Sequence, residues 1–139
     1  FSRCSQEQIV NAYDNTLVYT DHVLGELIAL LEEEDRQGRP TAMIYLSDHG
    51  ESLGEANLYL HGMPYVLAPD QQKHVPMLLW LSPSYQQVFA VDTACLAART
   101  ERPVSHDNLF HSVLGLLDIK TKLYDAKLDI FAGCRRSSD

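Results

Sequence analysis

Basic side chains are scarce in this 139-residue chain: eleven Lys and Arg stand against nineteen Asp and Glu, for a formal charge of −8. That balance repels a phosphate backbone, so nucleic acid is not an expected partner. Long hydrophobic runs are also missing. The longest, "VPMLLWL" at 75–81, falls far short of the roughly 20 apolar residues that span a bilayer. The three cysteines, Cys4, Cys95 and Cys134, are odd in number, show neither zinc-knuckle nor CxxC spacing, and read most simply as free core thiols. No targeting segment opens the sequence, which begins at Phe1 and runs directly into the approach to a helix, and a piece of a longer protein is expected. What is present suffices for one core, since 45% of the residues are hydrophobic and the length suits a single domain.

From Ile9 the apolar positions Ile9, Tyr13, Leu17, Thr20, Leu24, Leu27 and Leu31 advance in steps of three and four, one stripe of an amphipathic helix. "EEEDRQGRP" ends it with a charged turn, a Gly for a left-handed cap and a Pro that cannot continue. The four acids Glu32, Glu33, Glu34 and Asp35 read as a solvated helix end. Residues 41–47, "TAMIYLS", form a short continuous apolar run of the kind buried on both faces of a parallel sheet. "MPYVLAPDQQ" reads as an ordered loop and "HVPMLLWLS" as a second buried strand whose start Pro76 makes irregular. "SYQQVFAVDTACLAART" gives a weak helical pattern. "SHDNLFHSVLGLLDI" gives a clear one, with Ser105 as cap and Leu109, Val113, Leu116 and Leu117 on one face. The tail from Lys120 reads as irregular structure over an edge. This alternation predicts an α/β fold without internal repeats.

The chemistry concentrates at 45–62, "YLSDHGESLGEANLYLHG", immediately after the first strand. Open α/β sheets gather ligands beyond the C-terminal ends of their strands. There Asp48 offers a carboxylate oxygen and His49 an imidazole nitrogen, a donor set that suits Zn²⁺. Gly50 is expected to allow the sharp turn by taking positive φ. His61 lies twelve residues beyond His49, and the Gly and Asn between them let the chain return toward the same ion. Glu51 and Glu55 are candidate acceptors for the imidazole N–H groups around the metal. His22, His74, His106 and His111 fall within or beside helical or strand patterns and read as packing or capping residues. Each element of the motif also has a bland reading, because Asp and Gly are routine turn formers.

"YDNTLVYTDHVLGELI", "YLSDHGESLGEANLYLHGMPYVLAPDQQKHVPMLLW" and "SHDNLFHSVLGLLDI", in that order, resemble the C-terminal part of the lipid A phosphoethanolamine transferases, inner-membrane enzymes that confer polymyxin resistance. "SDHGE" alone is common to the wider alkaline phosphatase and sulfatase superfamily. The resemblance implies the later part of a periplasmic, sulfatase-like α/β/α sandwich, with the membrane domain and an upstream catalytic segment outside these residues. It implies zinc held by a Glu and a nucleophilic Thr from that segment and by an Asp-His pair matching Asp48 and His49. It places His61 beside the site as a catalytic, substrate-side residue or as ligand of a second zinc. The implied reaction moves phosphoethanolamine from phosphatidylethanolamine to a lipid A phosphate through a covalent intermediate, and no Thr of this chain matches the nucleophile. The implied periplasmic location makes disulfides reasonable, with Cys4 reaching an upstream cysteine and Cys95 left to Cys134. Competing readings are a sulfatase, a phosphoethanolamine transferase acting on core sugars of lipopolysaccharide, or a non-catalytic domain that keeps the fold.

Overall fold

A computed structural model describes residues 3–135. Helix α1 runs from Gln6 to Arg36. It starts in a capping box, with Ser5 Oγ accepting from Gln8 N–H at 3.2 Å and Gln8 Oε1 accepting from Ser5 N–H at 2.9 Å. It stops where Gly38, at φ 84°, turns the chain back. Gly38 N–H then reaches the Asp35 carbonyl at 2.9 Å and Arg39 N–H the Glu34 carbonyl at 3.0 Å, the paired bonds of a Schellman end. Along the stripe Ile9, Tyr13, Thr20, Leu24 and Leu31 are half-buried, while Leu17 and Leu27 remain exposed.

Strands β1, Ala42–Leu46, and β4, Met77–Leu81, form a ladder in which Ala42 faces Leu81 and Leu46 faces Met77. The pairing is antiparallel, not the parallel arrangement expected from the apolar runs. The connection explains the difference. A parallel neighbour requires a crossover, usually a helix, that carries the chain back to the starting end of the sheet. Here residues 47–76 hold only the two-residue strands β2, Ser52–Leu53, and β3, Tyr59–Leu60, a single 3₁₀ turn, and the four-residue helix α2, Asp70–Lys73. None of these spans the sheet, so the chain re-enters at the end it left.

The weak helical pattern after β4 resolves into two short helices, α3 at Pro83–Val88 and α4 at Thr93–Ala97. Each has its own cap: Ser82 Oγ accepts from Tyr85 N–H, and Asp92 Oδ1 accepts from Cys95 N–H at 2.9 Å. Helix α5 spans Asp107–Leu116 and starts one residue later than expected, with His106 rather than Ser105 at the cap position. Ser105 Oγ still accepts the Asp107 N–H at 3.2 Å. The acids closing α1 are not all solvated either. Asp35 accepts from the Ser82 and Ser84 hydroxyls, which hold its carboxyl below the usual carboxylate range and tie α1 to the start of α3.

The core gathers Tyr85, Val91, Leu116 and Phe131, with Ile44, Leu79 and Leu81 packed against it. Tyr85 stacks on Phe89 at 4.4 Å between centroids, and its hydroxyl donates to the Leu116 carbonyl. The tail therefore supplies core as well as cover, since Phe131 is fully buried. Cys95 and Cys134 are bridged, with Cα atoms 5.4 Å apart, and Cys4 is a free, exposed thiol.

Candidate functional site

The motif leaves β1 at Leu46 and turns at once. Ser47 Oγ donates to the His49 carbonyl at 2.8 Å, and His49 N–H donates to Asp48 Oδ1 at 3.1 Å, so the turn is held by its own side chains. Asp48 Oδ2 lies 3.8 Å from His49 Nε2. Two donors on one tetrahedral zinc, each roughly 2.0–2.2 Å from it, sit at a comparable separation. His49 Nδ1 lies 2.9 Å from the Gly50 carbonyl. A carbonyl only accepts, so Nδ1 donates to it and Nε2 is the ring nitrogen nearer Asp48. Metal-bound imidazoles are usually fixed in this way.

His61 reaches the same place from the far end of the β2–β3 hairpin. Its ring lies over that of His49, centroids 3.6 Å apart, and its Nδ1 is 3.1 Å from Glu51 Oε2. The carboxylate fixes the His61 proton at Nδ1 and leaves Nε2 as the nitrogen open to a ligand. Ligand atoms of His49, Glu51 and His61 all lie within 4.8 Å of one another. Glu51 Oε1 is buried with no hydrogen-bond partner among the described residues. An orphaned buried carboxylate oxygen beside two imidazoles is a position that a cation would satisfy. The donor set thus fits zinc.

Glu55 and Gly50 depart from the sequence expectation. Glu55 does not face an imidazole; its Oε2 accepts the Leu53 N–H at 2.8 Å within the hairpin. Gly50 does not take positive φ, which belongs instead to Gly38, Gly54, Gly62 and Gly133. Its missing side chain serves a different purpose, because a Cβ there would lie 1.9 Å from the Gln71 carbonyl oxygen. His106 holds the cap position of α5, in keeping with the packing or capping role expected, and its Nε2 approaches the Ser47 carbonyl at 2.9 Å, which ties the start of α5 to the motif.

The family model described as Sulfatase matches residues 1–119, which include β1, the motif and α5. The chain belongs to the sulfatase family. This sulfatase-family chain is 53% identical over 137 residues to phosphoethanolamine transferase EptA of Salmonella typhimurium, covering 98% of itself and 25% of that protein. It superposes with a TM-score of 0.92, at 41% identity, on the crystal structure of the soluble domain of lipooligosaccharide phosphoethanolamine transferase A from Neisseria meningitidis. That match covers 98% of this chain and 41% of the soluble domain. Against the integral membrane protein of the same name from that organism, the TM-score is 0.91 at 42% identity, with 97% and 25% covered. The sulfatase-family chain therefore spans about one quarter of the length of these full-length relatives. Among its described residues no helix is long and apolar enough to cross a membrane.

One wall of the site in this sulfatase-family chain escaped the motif. A pocket of about 240 Å³ opens beside His49 and His61, and its far side is built by Met63, Tyr65 and Gln72 from the segment read as an ordered loop and by Lys73 just after it. Gly50 N–H donates to the Gln72 carbonyl at 3.1 Å, and Gln72 Nε2 donates to buried Ser52 Oγ at 2.8 Å. Helix α2 is thereby fixed against the motif turn. Residues 50 and 72 carry no local signal of this contact; only the Pro, Ala and Gln around α2 hint at ordered structure.

Proposed function

We propose that this chain is part of a zinc-dependent enzyme that transfers phosphoethanolamine from phosphatidylethanolamine to a phosphate of lipid A. The observation that carries the reading is the convergence of His49, Glu51 and His61, with each Nδ1 engaged by a protein oxygen, in a chain 53% identical to a protein named as a phosphoethanolamine transferase. Asp48 and His49 hold the zinc in part, and further ligands come from an upstream segment of the same domain. Bound zinc supplies Lewis acidity that lowers the pKa of a hydroxyl and neutralises phosphoryl oxygens. The nucleophile, a Thr outside this chain, bonds to the donor phosphorus as the bond to the diacylglycerol oxygen breaks, and its proton ends on diacylglycerol. A lipid A phosphate oxygen then attacks the same phosphorus and the Thr hydroxyl is regenerated with a proton from the acceptor.

His61 serves the substrate side. Its Nδ1 is anchored by Glu51, so its Nε2 can bind a phosphoryl oxygen, hand a proton to the leaving alkoxide or take a second zinc. Glu51 acts through His61 as a positioning residue. The enzyme sits in the bacterial inner membrane through a domain outside this chain, with the present domain in the periplasm; the solved relative described as an integral membrane protein supports this. The upstream part of the domain covers the exposed side of α1, where Val18 and Tyr19 are both 69% exposed.

The test is His61→Ala in the intact enzyme, with zinc content, melting temperature and transfer rate read on the same sample. Zinc at the first site and the fold should persist while transfer slows by about 10²-fold or more if proton transfer is lost. Near-normal turnover would end this reading. Parallel assays with lipid A, a lipopolysaccharide core acceptor and a sulfate ester separate the acceptor classes.

A further inference from the structure

We propose that Lys73 is the residue of this pocket that recognises the anionic phosphate of the substrate. The inference rests on the phosphoryl-transfer reading above and adds a specificity-determining residue to it. Among the described residues that line the pocket with His49 and His61, Lys73 is the only permanent cation. The surrounding chain carries a formal charge of −8, so an incoming phosphate meets an unfavourable average field and needs a local positive charge. Lys binds phosphate as a point charge.

Its position is built, not incidental. Lys73 ends α2, and α2 is locked to the motif turn through the Gln72 carbonyl, the Gln72 amide and the close approach that Gly50 permits. The ammonium lies 5.4 Å from the centroid of the Tyr65 ring, another pocket wall, and 3.6 Å from Asp70 Oδ1. The Lys73 side chain is 26% exposed and that of Asp70 92% exposed. An ion pair with so solvated a carboxylate holds the ammonium weakly, and a phosphate in the pocket can displace it. The Tyr65 ring attracts the ammonium itself, a contact that neutralises none of its charge.

Donor and acceptor both bring phosphate, a diester in phosphatidylethanolamine and a monoester on lipid A, and the kinetics tell them apart. Lys73→Met and Lys73→Arg are compared with wild type in the full-length enzyme, with KM measured separately for donor and acceptor and with zinc content and melting temperature recorded. Lys73→Met should raise one KM by about tenfold to a hundredfold with a much smaller change in kcat. Lys73→Arg should recover most of it, and zinc content should not change. A rise for the donor alone assigns the diester; a rise for the acceptor alone assigns the monoester. Both KM values within twofold of wild type would overturn the proposal. If Lys73→Met lowers the melting temperature, Lys73→Gln decides. Calorimetry with O-phosphoethanolamine gives a readout without turnover: an equal Kd in wild type and Lys73→Met also overturns it. His61→Ala run alongside keeps the two ideas apart, because a dead His61→Ala with a normal Lys73→Met removes only the role of Lys73.

Discussion

Gly50→Ala adds one carbon at a place where the protein has no room for it. The new Cβ would lie 1.9 Å from the Gln71 carbonyl oxygen, 2.9 Å from its carbon and 3.2 Å from the Gln72 Cα. All three are backbone atoms, so no rotamer change relieves the clash, and residues 70–73 must retreat by roughly 1.5 Å to regain ordinary contact. That retreat breaks the 3.1 Å bond from Gly50 N–H to the Gln72 carbonyl and pulls on the 2.8 Å bond from Gln72 to buried Ser52. Overpacking costs about 1–3 kcal/mol and a lost hydrogen bond about 0.5–1.5 kcal/mol, so the variant should lose about 2–4 kcal/mol. Denaturant unfolding of the intact soluble domain measures it. Gly25→Ala is the internal control: Gly25 sits inside α1 with nothing within 4 Å of its Cβ position, and Ala there should stabilise by about 0.5–1 kcal/mol. Gly50→Ala within about 0.5 kcal/mol of wild type, with zinc content intact, would refute the close-approach account.

Replacing Asp48 or His49 by Ala should remove most bound zinc from the intact domain; full zinc content and activity in Asp48→Ala would sink the ligand assignment. Cys95→Ser opens a bridge that closes a separation of 39 residues, and the loop-entropy relation puts the loss at about 4 kcal/mol, read as a shift in the denaturant midpoint. An unchanged midpoint would contradict it. Burial and the 2.6 Å hydrogen bond to Asp129 push the Tyr124 phenol up from 10.0 to about 12. A folded-state value above the unfolded one means that this stabilisation is fully present below about pH 10 and is lost as pH rises through about 12. Tyr124→Phe should remove that alkaline component from the stability profile, and an identical profile would refute it.

What the sequence made legible was local and periodic. The stripe from Ile9 to Leu31 and the Gly38 stop marked α1, because a helix of this length repeats its signal over many turns and ends in a recognisable cap. Both strands were visible as apolar runs. Their direction was not, since an unbroken run records burial on two faces and says nothing of which way its neighbour runs; the lack of a long helix between them decided it. Asp35 was misread for a related reason. Four consecutive acids look solvated until Ser82 and Ser84 arrive from 47 and 49 residues away.

The site divides along the same line. Asp48, His49 and Gly50 stand together in the chain, so their place after a strand makes them visible as a candidate site in the sequence alone. Lys73 and the purpose of Gly50 depend on α2 folding back onto the turn, a contact over more than twenty residues with no motif of its own. Coordination arithmetic then limits what this stretch does alone. A tetrahedral zinc centre takes four donors, and on the reading proposed above Asp48 and His49 would supply two. The Asp48 side chain is 88% exposed and that of His61 49% exposed, whereas phosphoryl chemistry gains most from donors and dipoles aimed at the reacting group with water excluded. The same proposal therefore calls for further ligands and walls on this face from the rest of the domain. That requirement is consistent with a chain covering 41% of the soluble domain it superposes on, and with Glu51, half-buried and bonded to His61 through Oε2, keeping its buried Oε1 without a partner among the described residues.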